Sequence, residues 1–224
     1  MLFDLRDRRR RRTIQAVYLS LAVLMGGGLV LFGIGGEVSG GLFDAFSSNS
    51  GTSGDDTFEK RAEELQAQVE ASPQDAAAWS ALARARFQAA GVGENFQDNR
   101  FTESGLAELR LADQAWQRHL RLAGDAPDAD VAGVMVNVYS EFGLNDPAKA
   151  ADAQEVVITA QGDKATARQF ATLSIYAAQA GQTRKAELAK ERALELATDK
   201  AERDALERSI DEAAGASAAE APAG

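Results

Sequence analysis

The stretch Pro73-Gln74-Asp75-Ala76-Ala77-Ala78-Trp79-Ser80-Ala81-Leu82-Ala83 decides the fold. It contains a helix stop, a short turn, and then a new helix in which Trp and Leu stand three apart and a small residue follows. The frame returns at Phe170-Ala171-Thr172-Leu173-Ser174-Ile175-Tyr176, with Gly181 at the next turn and Ala186, Ala193 and Leu194 on the helix after it. A fainter copy runs through Met135, Val136 and Tyr139, turns at Gly143 and resumes at Ala148. Bulky residues on the first helix of each copy fill the gap between helices. Small ones (Ala83, Ser174, Ala148, Ala186) allow the helices to cross closely.

Self-similarity of this kind resembles the tetratricopeptide repeat, and the resemblance covers roughly residues 72–198. It implies an all-α solenoid of about three helix pairs, with helices at 58–71 and 200–214 capping its ends and binding of proteins or peptides on a concave face. There are departures from the family pattern. Trp79 to Ala132 and Ala132 to Phe170 are 53 and 38 residues apart, against about 34 in the family. Arg86 occupies a position where an aromatic is common, and Gly91–Thr102 is inserted between the helices of the first copy. In the family the first helix of each pair lines the groove. By matching positions, the resemblance nominates Arg84, Phe87 and Gln88, then Asn137, Ser140 and Glu141, then Arg168, Ala171 and Ile175 as partner-binding residues. This mixed set lacks the several Lys, Arg and Asn of a carboxylate clamp, and only Asn137 fits that pattern.

Outward from the repeats, Phe58, Ala62, Leu65 and Val69 recur at helical spacing. Pro73, Pro127 and Pro147 punctuate helix boundaries, and no run of alternating β-branched residues argues for a strand. Val156-Val157-Ile158 within Gln154–Ala160 is the one ambiguous patch, and its neighbours make it helical. The insertion carries Phe96 and Phe101 among Asn, Asp and Gln. These either fold back to close a gap or offer apolar anchors to a partner, since loops of this length are often functional.

Before the repeats, twenty-three residues from Ile14 to Gly36 carry no charge, behind the arginine run Arg8–Arg12. A helix of that length rises about 30 Å, enough to cross a bilayer. The arginines place the amino terminus in the cytoplasm and everything after Gly36 outside. A cleaved secretory signal is the rival reading, but its apolar region usually spans about 7–15 residues. The sequence thus divides into a basic cytoplasmic segment 1–13, a transmembrane helix 14–36, a Gly/Ser-rich tether 37–56, a helical domain 57–214 and a disordered tail 215–224. Within the tether, Leu42, Phe43 and Phe46 suit the headgroup region or a partner.

The amino-terminal segment Met1-Leu2-Phe3-Asp4-Leu5-Arg6, with Leu31-Phe32-Gly33-Ile34-Gly35-Gly36, is similar to the anchor of membrane-bound, SurA-like periplasmic prolyl isomerases, although no isomerase domain follows. A cytoplasm-in anchor with an external repeat domain also resembles, in architecture, the ancillary chaperone-like subunit of the bacterial Sec translocon. These resemblances imply a single-pass inner-membrane protein whose partners are exported clients or translocon subunits, with the bilayer contacted through 14–36. A non-catalytic assembly factor for a membrane complex, as in cytochrome maturation, is the alternative.

The first thirteen residues hold six Arg and two Asp, so the formal charge of −10 becomes −14 once they are set aside. So acidic an exterior argues against nucleic acid as a partner. Absence of cysteine excludes disulfides, thiolate nucleophiles and cysteine metal sites. The single histidine, His119, lies on the helix 109–122 beside Trp116, with no second His or Cys to join it as a ligand, so packing is the expected role. Asp55-Asp56 and Glu63-Glu64 are sequence neighbours and do not form an acid/base pair. Gly91-Val92-Gly93-Glu94 has an acid where an anion site needs donors. The residues therefore predict no catalytic site, no metal and no cofactor.

Overall fold

A computed structural model describes residues 55–220. The basic segment, the apolar span and almost all of the tether read from the sequence lie outside the described residues. Among the described residues no helix is long and apolar enough to cross a membrane. The fold is all-α apart from one small hairpin. Its helices are α1 (Asp55–Ala71), α2 (Ala76–Ala90), α3 (Glu103–Ala123), α4 (Ala129–Val138), α5 (Pro147–Gln161), α6 (Ala167–Gln179), α7 (Thr183–Leu196) and α8 (Lys200–Glu220).

Short polar side chains start most of these helices by accepting backbone N–H groups that the first turn leaves unpaired. Asp75 caps α2 through Ala78, Thr102 caps α3 through Gly105, and Asp146 caps α5 through Lys149 with Pro147 directly behind it. Thr166 and Gln169 exchange bonds in a capping box that opens α6. Gly181, at φ 70°, turns the chain between α6 and α7 where an L-side chain would be strained.

Consecutive helices pack against one another along most of the chain; α2 also meets α4, while α8 lies on α6 and α7. The largest core cluster joins Ala62, Leu65 and Val69 of α1 to Leu82 of α2, Leu109 and Trp116 of α3, Met135 of α4 and Ala153 of α5. Fully burying side chains such as Leu82, Leu109 and Met135 contributes roughly 1.5–3 kcal/mol each. A second cluster unites Ala151, Leu173, Ala177, Ala186 and Ala189, and a third unites Ala167, Ala171, Ala193, Leu206 and Ile210. Of the small residues expected at helix crossings, Ala83 is wholly buried and the Ser174 hydroxyl donates to the Ala186 carbonyl at 2.9 Å, tying α6 to α7, whereas Ala148 is half-buried.

The insertion corrects the sequence reading, which saw no strand. After a 3₁₀ turn at Gly93–Asn95, Phe96–Gln97 (β1) and Arg100–Phe101 (β2) pair antiparallel. Asp98 and Asn99, at φ 50° and 61°, make the two-residue turn between them. Strands of two residues carry no periodicity that a sequence window can register. The element ends also move. α1 starts at Asp55, inside the stretch read as tether, and α8 continues to Glu220, inside the stretch read as tail.

Candidate functional site

Three of the nominated groove residues share one opening. Arg168, Ala171 and Ile175, spaced at three and four along α6, form a single helical face that α8 crosses. Between the two helices lies a groove of about 660 Å³, completed on the α8 side by Thr198, Glu202, Leu206 and Ser209. Ala171 is buried in its floor, Ile175 is half-buried and Arg168 is exposed at its edge. Glu202 faces the groove with its carboxylate already engaged: the Thr198 N–H and hydroxyl donate to it at 2.8 and 2.7 Å. Those two bonds, helped by the charge of Arg168, hold its carboxyl below the usual range against desolvation and the charge of Asp199. The groove therefore offers an apolar floor and, at its edge, one cation without a hydrogen-bonded carboxylate, while the hydroxyls of Thr172, Thr198 and Ser209 already donate within the domain.

The other candidates do not line that groove. On α2, Arg84, Phe87 and Gln88 are half-buried, and Phe87 packs against the largest core cluster. Arg84 directs its charge towards Asp128. Asn137 is exposed and donates to the Gly133 carbonyl, while the Ser140 hydroxyl donates to the Asn137 carbonyl at 2.8 Å. Glu141 is exposed; burial raises the Tyr176 phenol above its ordinary value and the Glu141 charge adds to that rise. Phe96 and Phe101 close edge to face with ring centroids 5.1 Å apart, and Phe101 packs against the core. Sequence reasoning treated α8 only as a cap and so missed Thr198, Glu202 and Ser209. The four-residue spacing of Leu206 and Ile210 was the available sign that α8 turns one face to α6.

No family model, curated protein or solved structure matches this chain.

The polar interior is organised around His119, which is 4% exposed and stacked on Trp116. Its Nε2 accepts the Asp128 N–H at 2.9 Å, so the ring proton sits on Nδ1, which donates to the Ala76 carbonyl at 2.8 Å. Asp128 in turn accepts the Ser80 hydroxyl at 2.7 Å and caps α4 through Asp130 and Val131. Burial pulls the Asp128 carboxyl up, but the Val131 N–H, the Ser80 hydroxyl, Arg84 and the Asp130 N–H outweigh it and hold it below the ordinary range. Both ring nitrogens of His119 are thus committed to holding α2, α3 and α4 together. A second node joins α3, α4 and α5: the Tyr139 hydroxyl donates to Asp113 at 2.6 Å, and Lys149 reaches the same carboxylate at 2.8 Å. Burial, then the bond to Asp113 and its charge, push the Tyr139 phenol far up. Arg86, placed where the repeat often has an aromatic, is tied to Glu108 of α3 at 3.1 Å. Among the described residues no group of three His, Asp or Glu side chains is arranged to hold a metal ion.

Proposed function

We propose that this chain is a membrane-anchored, non-catalytic protein-interaction module. In this reading α2–α3, α4–α5 and α6–α7 are three tetratricopeptide-like pairs, α1 and α8 cap them, and residues 14–36 hold the array at the extracytoplasmic face of the plasma membrane. There it serves as a chaperone-like or scaffold partner near the Sec export machinery. The observation that carries the reading is the groove between α6 and α8, whose α6 wall, with Thr172, includes all three residues of that helix that the repeat frame assigns to partner contact. A mixed groove of this kind suits a peptide segment that presents an apolar side chain near an acid. Anchoring beside membrane partners raises the effective concentration of the module and offsets a modest intrinsic affinity.

The test is mild-detergent affinity purification of the full chain beside two variants, one with residues 14–36 exchanged for an unrelated span and one carrying Arg168→Glu. Recovery of translocon subunits with the native chain, lost on exchanging the span and reduced by Arg168→Glu, is the expected result. An identical set of proteins from all three would refute both the location and the groove. Subunits of a different membrane complex, recovered through the groove but not the anchor, would favour the assembly-factor alternative.

A further inference from the structure

Away from the groove, the turn between α4 and α5 presents Phe142 with 75% of its surface exposed. The turn that carries it is tightly built. Gly143, Leu144, Asn145 and Asp146 donate their N–H groups to the carbonyls of Ser140, Val138, Ser140 and Tyr139 at 2.8–3.0 Å. A Cβ on Gly143 would lie 2.3 Å from the Val138 carbonyl oxygen, so only glycine lets the chain close there. The backbone thus holds a large aromatic outward in one place, which lowers the ordering cost of seating it elsewhere.

A cavity of matching character lies between α6 and α7. Phe170 and Leu173 of α6 and Leu188 and Ala189 of α7 border a cleft of about 520 Å³, in which Leu188 is 56% exposed. Its edge carries Lys185, already bound to Glu155 and Asp152, and Arg184, which has no ion-pair partner among the described residues. Beside Phe142 stands Glu141, exposed and in no ion pair of the described residues. Apolar knob meets apolar cleft, and the unpaired acid next to the knob matches the unpaired base at the cleft.

We propose that two copies of this chain associate by seating Phe142 of one in the Leu188 cleft of the other, with Glu141 paired to Arg184 across the contact. Reciprocal insertion makes two such contacts in a closed pair, the common form of self-association. The contact uses the Phe142 turn and the cleft between α6 and α7, whose lining residues are distinct from those of the proposed peptide groove.

Absence of cysteine makes the test direct. Full-length Phe142→Cys and Leu188→Cys chains, each in detergent, are mixed and oxidised, and covalent dimer is quantified against a control mixture of Gln97→Cys with Leu188→Cys. The expected result is dimer well above the control in the mixture. In sedimentation of the otherwise native chain, Glu141→Arg weakens association by at least about tenfold, and adding Arg184→Glu restores it. A mixture no more crosslinked than the control would overturn the proposal. So would a monomeric native chain, a charge reversal without rescue, or a photoreactive group at position 142 that couples to a different protein or to lipid.

Discussion

Among single residues, His119 ties three helices together through its two ring nitrogens. It is the only histidine in the chain, and both its nitrogens are spent on backbone groups of neighbouring helices, Ala76 on one side and Asp128 on the other. His119→Ala would leave a carbonyl and an N–H without partners and open space beside Trp116. We predict a loss of about 2–4 kcal/mol in urea unfolding, from the cost of orphaned polar groups and a cavity. Asp128 makes a second prediction, about pH. Its folded carboxyl titrates below the ordinary value, so its contribution is fully present above about pH 4 and disappears as acid titrates the folded state. Stability measured from pH 7 downwards should therefore fall in that window, and Asp128→Asn should be less stable at pH 7 yet show a flatter acid limb. An unchanged acid limb would mean that other carboxylates dominate. Composition alone led us to expect His119 in packing, but not its partners. Ser80 and Asp128 are 48 positions apart, and nothing local to either announces the other.

At the scale of elements, the hairpin insertion is a rigid brace. Asn95 is buried, its side chain donates to the Ala89 carbonyl, and its own carbonyl accepts the Thr102 N–H at the start of α3. Gly105 makes this approach possible, since a Cβ there would lie 2.1 Å from the Asn95 oxygen. We predict that Gly105→Ala destabilises the protein by about 1–3 kcal/mol, because the colliding atom is backbone and cannot swing aside. Thermal unfolding measures the loss, and faster amide exchange confined to residues 93–106 locates it. The helices themselves were legible because Pro, Gly and short polar caps act on their immediate neighbours. The hairpin was not, because its two strands rely on the Phe96–Phe101 contact and on packing against α3 for support that two-residue strands cannot give themselves.

For the molecule as a whole, the core consists of clusters that follow one another along the chain, so stability should be transmitted between neighbouring helices more than across the array. Leu206 and Ile210 of α8 close the cluster containing Ala167, Ala171 and Ala193. Leu206→Ala, at about 2–5 kcal/mol, should raise amide exchange in α6 and α7 well before α1 and α2. Uniform acceleration would show a single cooperative unit instead. The same helix marks the limit of sequence reading at the candidate site. Arg168, Ala171 and Ile175 could be placed on one face because helical periodicity is a property of one segment. The opposite wall, Thr198, Glu202 and Ser209, could not, because it exists only once α8 lies on α6. By itself the sequence determined the all-α class and the breaks between helices near Pro73, Pro127 and Pro147. Tertiary structure alone decided that α8 completes a groove, that Phe142 stays uncovered while Phe101 does not, and that one histidine joins three helices. The first set depends on interactions within a few residues along the chain. The second depends on which surfaces meet after the chain has folded, and burial there is shared between segments that carry no local record of each other.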